Sequence, residues 1–116
     1  MHRGEIWLIN LDPTVGAEIK KSRPAIIVNV DEVGVLPLRI IVPITEWKEH
    51  YSQAPWLVKI EPKKQNGLDK TSAADAFQVR SLSVEGFSRC LGKVDAENFS
   101  AILSALQIVL GLVDKS

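Results

Sequence analysis

Three cations, Lys20, Lys21 and Arg23, stand within four residues of the stretch EIKKSRPAIIV, and Pro24 follows at once. The apolar run after Pro24 reads as a core strand, so Arg23 opens a rigid element while the two lysines ride in the loop leading into it. The arginine side chain is a planar fork of donors that matches a phosphate in two places at once. Thr45, at the end of a later strand, would add a hydroxyl nearby if the two strands pair, and Gln78 and Arg80 are the other polar residues at strand ends. A plainer assignment stays open on the same residues. Lys20 and Lys21 can be solvated loop charges, and Arg23 an edge cation or an ion-pair partner of Glu18.

Other chemistries find less support. The two histidines, His2 and His50, are far apart, and neither a CxxC nor an HxxxH pattern occurs, so no metal site is indicated. Cys90 falls in a short apolar strand and reads as inert core. No glycine-rich phosphate loop and no GxSxG elbow is present, and nothing calls for a cofactor. The 14 basic residues balance 14 acidic ones, which excludes a wholesale polyanion binder and makes any nucleic-acid site local. No apolar run reaches about 18 residues and MHRGEIW has no apolar core, so neither a membrane span nor export is expected. One unpaired cysteine fits a reducing cytoplasm.

The elements that must position these residues are mostly strands. At 116 residues, 46% apolar and 24% charged, the chain is expected to be a single domain, 1–116. GEIWLINL is apolar on both faces, as for a strand covered on both sides. DPTVGAEIKKS is a loop of functional length. Arg23–Val30 and Leu38–Thr45 are the second and third strands, with Pro43 marking a bulge or an end. APWLVKIEP alternates, with Trp56, Val58 and Ile60 inward, and Asn66-Gly67 is the strongest turn signal. Ser72–Leu82 reads as one fifth strand, SVEGFS as a helical turn and Arg89–Val94 as a sixth strand. Asp95 is placed to cap a helix from Ala96 to Leu112, whose apolar residues recur at helical spacing. Several strands followed by one helix make an α+β, mainly β chain, a small barrel-like sheet with a C-terminal α-helix.

The chain resembles the MazF/PemK family of toxin endoribonucleases nearly end to end. RGEIWLINLDPTVGAEIKKSRPAIIV looks like the family's R-G-[DE]-[IV] strand, D-P-x-x-G-x-E loop and R-P-A strand. VPIT resembles its second motif and AFQVRSL its Q-[IV]-R-[ST] motif. The resemblance implies an SH3-like small barrel of about 5–7 strands with a C-terminal helix, acting as a homodimer. It implies cleavage of single-stranded RNA, mRNA in the cell, at short sequences without a metal, and neutralisation by a cognate MazE-like antitoxin. By position it makes Arg23 and Thr45 the catalytic pair, and it places Glu18 and Gln78 in the RNA groove. Lys20, Lys21 and Arg80 complete the expected RNA-binding set. PemK-type members carry an aspartate just before the glutamine, where this chain has Phe77, so the general base is left open.

Two readings from other classes remain. One is a toxin of the same barrel that poisons gyrase by binding protein, which the R-P-A and V-P-I-T motifs disfavour. The other is a non-catalytic SH3-like interaction module.

Overall fold

The computed structural model of the chain describes residues 1–10 and 22–112. Glu18, Lys20 and Lys21, and most of the loop that carries them, lie outside the described residues. Among the described residues there are seven strands: β1 Glu5–Asn10, β2 Ser22–Ile27, β3 Leu38–Glu46, β4 Leu57–Ile60, β5 Ser72–Asp75, β6 Arg80–Ser83 and β7 Phe87–Lys93. One helix, α1 Ala96–Val109, closes the described chain. The strands form one antiparallel sheet in the order β4-β5-β3-β2-β1-β7, with β6 also pairing with β3. The fold is therefore mainly β with a C-terminal helix, as expected.

The expected fifth strand, Ser72–Leu82, is corrected. It divides into β5 and β6 around a 3-10 turn, Ala76–Gln78. Both halves pair with β3, β6 along Leu38–Ile41 and β5 along Ile44–Glu46. Pro43, expected at a bulge or an end, lies inside β3 opposite Ala25 of β2. On the other edge it falls at the gap between the two partner strands, where the ladder is interrupted and a missing N–H costs least. Asp75 supports the turn by accepting from the Phe77 amide at 3.1 Å. Trp56 also departs from the alternation and is exposed, packing edge-on against exposed Phe77 at 6.0 Å.

The sheet is buried on both faces, which explains strands that are apolar on both sides. Ile6, Ile26, Val42, Ile44 and Ile60 join Ile102, Ala105 and Leu106 of α1 in one cluster. Ile9, Ala25, Ile27, Ile41 and Leu82 form the other. Alternation along β2 accounts for Ile26 facing one cluster and Ala25 and Ile27 the other. Cys90, expected in the core, is exposed on β7.

No strand pairing joins β4 to β7, and the turn after β4 covers that seam. Asn66, buried to 2% exposure, accepts from the Lys63 and Leu68 amides and donates to the Glu61 carbonyl, each at 3.0 Å. The Lys93 amide donates to the Gln65 carbonyl at 2.8 Å. The approach leaves no room for side chains. A Cβ on Gly92 would come within 2.3 Å of the Gln65 oxygen, and one on Gly67, at φ +70°, within 2.3 Å of the Leu91 oxygen.

The helix begins as its sequence implies. Asp95 accepts from the Asn98 amide at 2.7 Å, and its other oxygen pairs with Lys63. It stops at Val109, short of Leu112, because Gly111 takes a left-handed conformation at φ +70°. Gly111 and Leu112 then donate to the carbonyls of Ile108 and Gln107, closing the last turn.

Two outcomes follow. Asn66→Ala strips three backbone groups, one buried and two part-buried, of their partner and should cost about 2–3 kcal/mol, read as a lower urea midpoint at unchanged slope. A change under about 0.5 kcal/mol would show that water replaces the side chain. The Asp95 carboxyl is held below its ordinary pKa by the hydrogen bond from Lys63 and then by the Asn98 amide. A carboxyl lowered in the folded state stabilises above its unfolded pKa and loses that contribution as pH falls through the folded value. Asp95→Asn, which can still cap, should thus lower the thermal midpoint at neutral pH. The gap to wild type should close at strongly acidic pH, and a gap constant with pH would exclude a charge effect.

Candidate active site

Arg23 and Thr45 come together through strand register. Ile27 faces Ile41, Ile26 faces Val42 and Ala25 faces Pro43. Extending that register by two residues sets Arg23 across from Thr45. The strands have separated by then. Arg23 is paired with Ile9 of β1, and Thr45 with Ala73 of β5. The splay opens a pocket of about 210 Å³ walled by Arg23 and Pro24 on one side and Thr45 and Glu46 on the other. Ser72, which opens β5, and Lys70, two residues before it, complete the lining. Arg23, Glu46 and Lys70 are exposed, Thr45 is half-buried and Ser72 is buried.

The pocket holds two cations, Arg23 and Lys70, two hydroxyls, Thr45 and Ser72, and one carboxylate, Glu46. That set is net positive and rich in donors, suited to a phosphodiester. Lys70 Nζ lies 3.7 Å from Glu46 Oε1. A second cavity, about 290 Å³, shares Pro24, Lys70 and Ser72 with the first and runs on to Arg89 and Leu91. The two cavities thus adjoin across those three residues.

Gln78 and Arg80 are placed elsewhere. Gln78 is exposed on the 3-10 turn, its amide donating to Asp75 Oδ2 at 2.9 Å. Arg80 opens β6 and lines a separate cavity of about 400 Å³ with Asn10, Ser83 and Glu85. That cavity is larger, but Arg80 there is matched by Glu85, so its lining carries no excess positive charge. Against the Arg80 cavity, charge rather than volume favours the Arg23–Thr45 pocket for a phosphate, and the adjoining cavity, with Lys70 and Arg89 against Asp69, is net positive as well. Sequence reasoning missed Lys70, Ser72 and Glu46. Glu46 directly follows Thr45, which is the one local signal; Lys70 and Ser72 reach the pocket only through the β3–β5 pairing. Among the described residues, no group of three or more His, Cys, Asp or Glu side chains could hold a metal ion.

Residues 2–110 match the model of the PemK-like, MazF-like toxins of type II toxin–antitoxin systems. The chain belongs to that family. It is 32% identical over 118 residues to the endoribonuclease MazF9 of Mycobacterium tuberculosis, covering 97% of this chain and 98% of that protein. Among solved structures it is similar to a mycobacterial endoribonuclease in complex with its cognate antitoxin, with a TM-score of 0.78 at 19% identity over 98% of both chains. It is also similar to a MazE–MazF structure from Deinococcus radiodurans, with a TM-score of 0.77 at 22% identity over 97% of both chains.

Asp75 accepts from both Phe77 and Gln78, so it fixes the turn that presents Gln78. Asp75→Ala should cost about 1 kcal/mol, the scale of a lost cap. It should also raise hydrogen exchange at the amides of residues 77 and 78. Unchanged exchange there would mean that β3 pairing alone holds the turn.

Proposed function

We propose that the chain is a sequence-specific endoribonuclease toxin that cuts single-stranded RNA, mRNA in the cell, without a metal, at the Arg23–Thr45 pocket. It works as a homodimer in the cytoplasm, built from one domain over 1–116, and a MazE-like antitoxin holds it inactive. The observation that carries this reading is the register that sets a strand-borne arginine and a threonine hydroxyl across one pocket. Family membership, the named activity of the 32% identical relative and an antitoxin-bound neighbour support it. Among the described residues no helix is long and apolar enough to cross a membrane.

RNA can be cut without a metal when the ribose 2′-OH attacks the adjacent phosphorus. The 2′-O–P bond forms as the P–O5′ bond breaks, leaving a 2′,3′-cyclic phosphate and a 5′-hydroxyl. The protein must align the attack and hold charge on the phosphoryl oxygens as it builds. Arg23, anchored by its β1 and β2 backbone, grips the non-bridging oxygens through its fork. Thr45 donates its hydroxyl to the same group. Glu18, Lys20, Lys21, Gln78 and Arg80 bind the flanking RNA. Exposed Trp56 and Phe77, beside Gln78, offer a stacking surface for a base.

Purified protein, a defined single-stranded RNA and EDTA test this directly, with end mapping of the products. Arg23→Ala should lose about 10²–10⁴-fold in cleavage with its fold intact. Thr45→Ala should be similarly crippled. Lys20→Ala and Lys21→Ala should instead weaken binding several-fold and flatten its salt dependence. RNA with deoxyribose only at the cleaved nucleotide should bind and stay whole. Its cleavage, or full activity of Arg23→Ala, would overturn the reading.

A further inference from the structure

We infer that Glu46 is the general base of this site and that Lys70, its ion-pair partner, is the general acid. The inference rests on the endoribonuclease reading and names the two proton carriers it leaves open. Both side chains line the pocket with Arg23 and Thr45. The pair is loose, at 3.7 Å, with side chains 66% and 59% exposed. An exposed pair of that kind contributes little to stability, so the two ends part readily around a phosphate.

Charge supports the assignment. Arg23, Lys70 and Glu46 leave the pocket with one net positive charge, matching the single negative charge of a phosphodiester. As the 2′-oxygen attacks, the phosphoryl group gains a second negative charge. If the 2′-OH proton passes to Glu46, the pocket gains a second net positive charge in the same step. The site then fits the transition state better than the ground state, which is what lowers the barrier.

The protons balance. Glu46 takes the 2′-OH proton, the O2′–P bond forms and the P–O5′ bond breaks. The departing O5′ takes a proton from the Lys70 ammonium. Water then accepts the proton of Glu46 and restores that of Lys70. Arg23 stays charged throughout, because a guanidinium does not give up its proton in a protein.

Single-turnover cleavage of one RNA by wild type, Arg23→Ala, Glu46→Gln and Lys70→Ala across a pH series tests the assignment. Glu46, Lys70 and Arg23 are the ionisable groups of the described pocket that bear on the profile. Each variant is matched to wild type by thermal midpoint and RNA affinity. Glu46→Gln should lose about 10²–10³-fold in rate with little change in affinity, and the acid limb of the wild-type profile should vanish. Lys70→Ala should lose about 10–10²-fold on ordinary RNA. On a substrate with sulfur in place of O5′, whose thiolate leaves without a proton, Lys70→Ala should approach wild type while Glu46→Gln stays impaired. Glu46→Gln within about threefold of wild type, or Lys70→Ala equally impaired on both substrates, would overturn the inference while leaving the endoribonuclease reading intact. Wild type that leaves RNA whole would overturn both.

Discussion

One strand, β3, serves two partners along a single edge, and the site depends on that change of partner. β6 takes Leu38–Ile41 and β5 takes Ile44–Glu46, with Pro43 between them and Ala25 opposite it on β2. Had β3 kept straight in the β2 ladder, Arg23 and Thr45 would be ordinary cross-strand neighbours with no space between. Because its end turns toward β5, the two residues keep their register and still separate into facing walls. Proline suits the switch point, since an absent N–H is tolerated where pairing is already broken. A helix or a flat sheet offers no comparable place for a positive side chain and a hydroxyl on separately anchored backbones.

The floor of the pocket is tied to the seam of the sheet. Lys70 and Ser72 follow directly on the turn in which Asn66 satisfies Lys63, Leu68 and Glu61. The same turn packs against β7 so closely that Gly67 and Gly92 accept no larger residue. Lys63 of this turn also reaches Asp95 at the start of α1. Residues about the pocket are therefore fixed by contacts to the far edge of the sheet and to the helix. That rigidity is what holding a phosphate for in-line attack requires. Small residues near the helix serve the same end, since Ala74 and Ala76 are fully buried in the cluster that includes Ile102, Ala105 and Leu106.

Much of this was legible in the sequence for a physical reason. Strands buried on both faces leave near-continuous apolar runs, and β1, β2 and β3 stand out as such. The helix announces itself by Asp95 and its apolar spacing, and only its last turn was misread, because Gly111 ends it. The break between β5 and β6 was not legible. ADAFQVRSL carries no glycine or proline, and the turn is made by Asp75 accepting from Phe77, a contact any strand sequence could hide. Trp56 and Cys90 were misplaced for a related reason. Apolar character alone predicts burial, yet Trp56 pairs with Phe77 at the surface and Cys90 faces out on a strand near the seam. Arg23 and Thr45 were visible as strand-end residues, whereas Lys70 became a site residue only once β5 was seen beside β3.

A chain with no net charge gains no long-range attraction to a polyanion, so its grip on one must come from arrangement. The described pocket shows how. Two cations face one carboxylate within about 210 Å³, while the larger Arg80 cavity sets one cation against one carboxylate. Among the described residues an excess of positive charge therefore lies where the strands separate and Thr45 presents its hydroxyl, and it extends through shared Lys70 into the cavity with Arg89. A local excess of this kind, on a chain with no net charge, favours a few held phosphates over general adhesion to RNA. Discrimination among sequences must then come from contacts beyond the pocket, to bases on either side. The cavity that adjoins the pocket through Lys70 and reaches Arg89 is one surface open to such contacts.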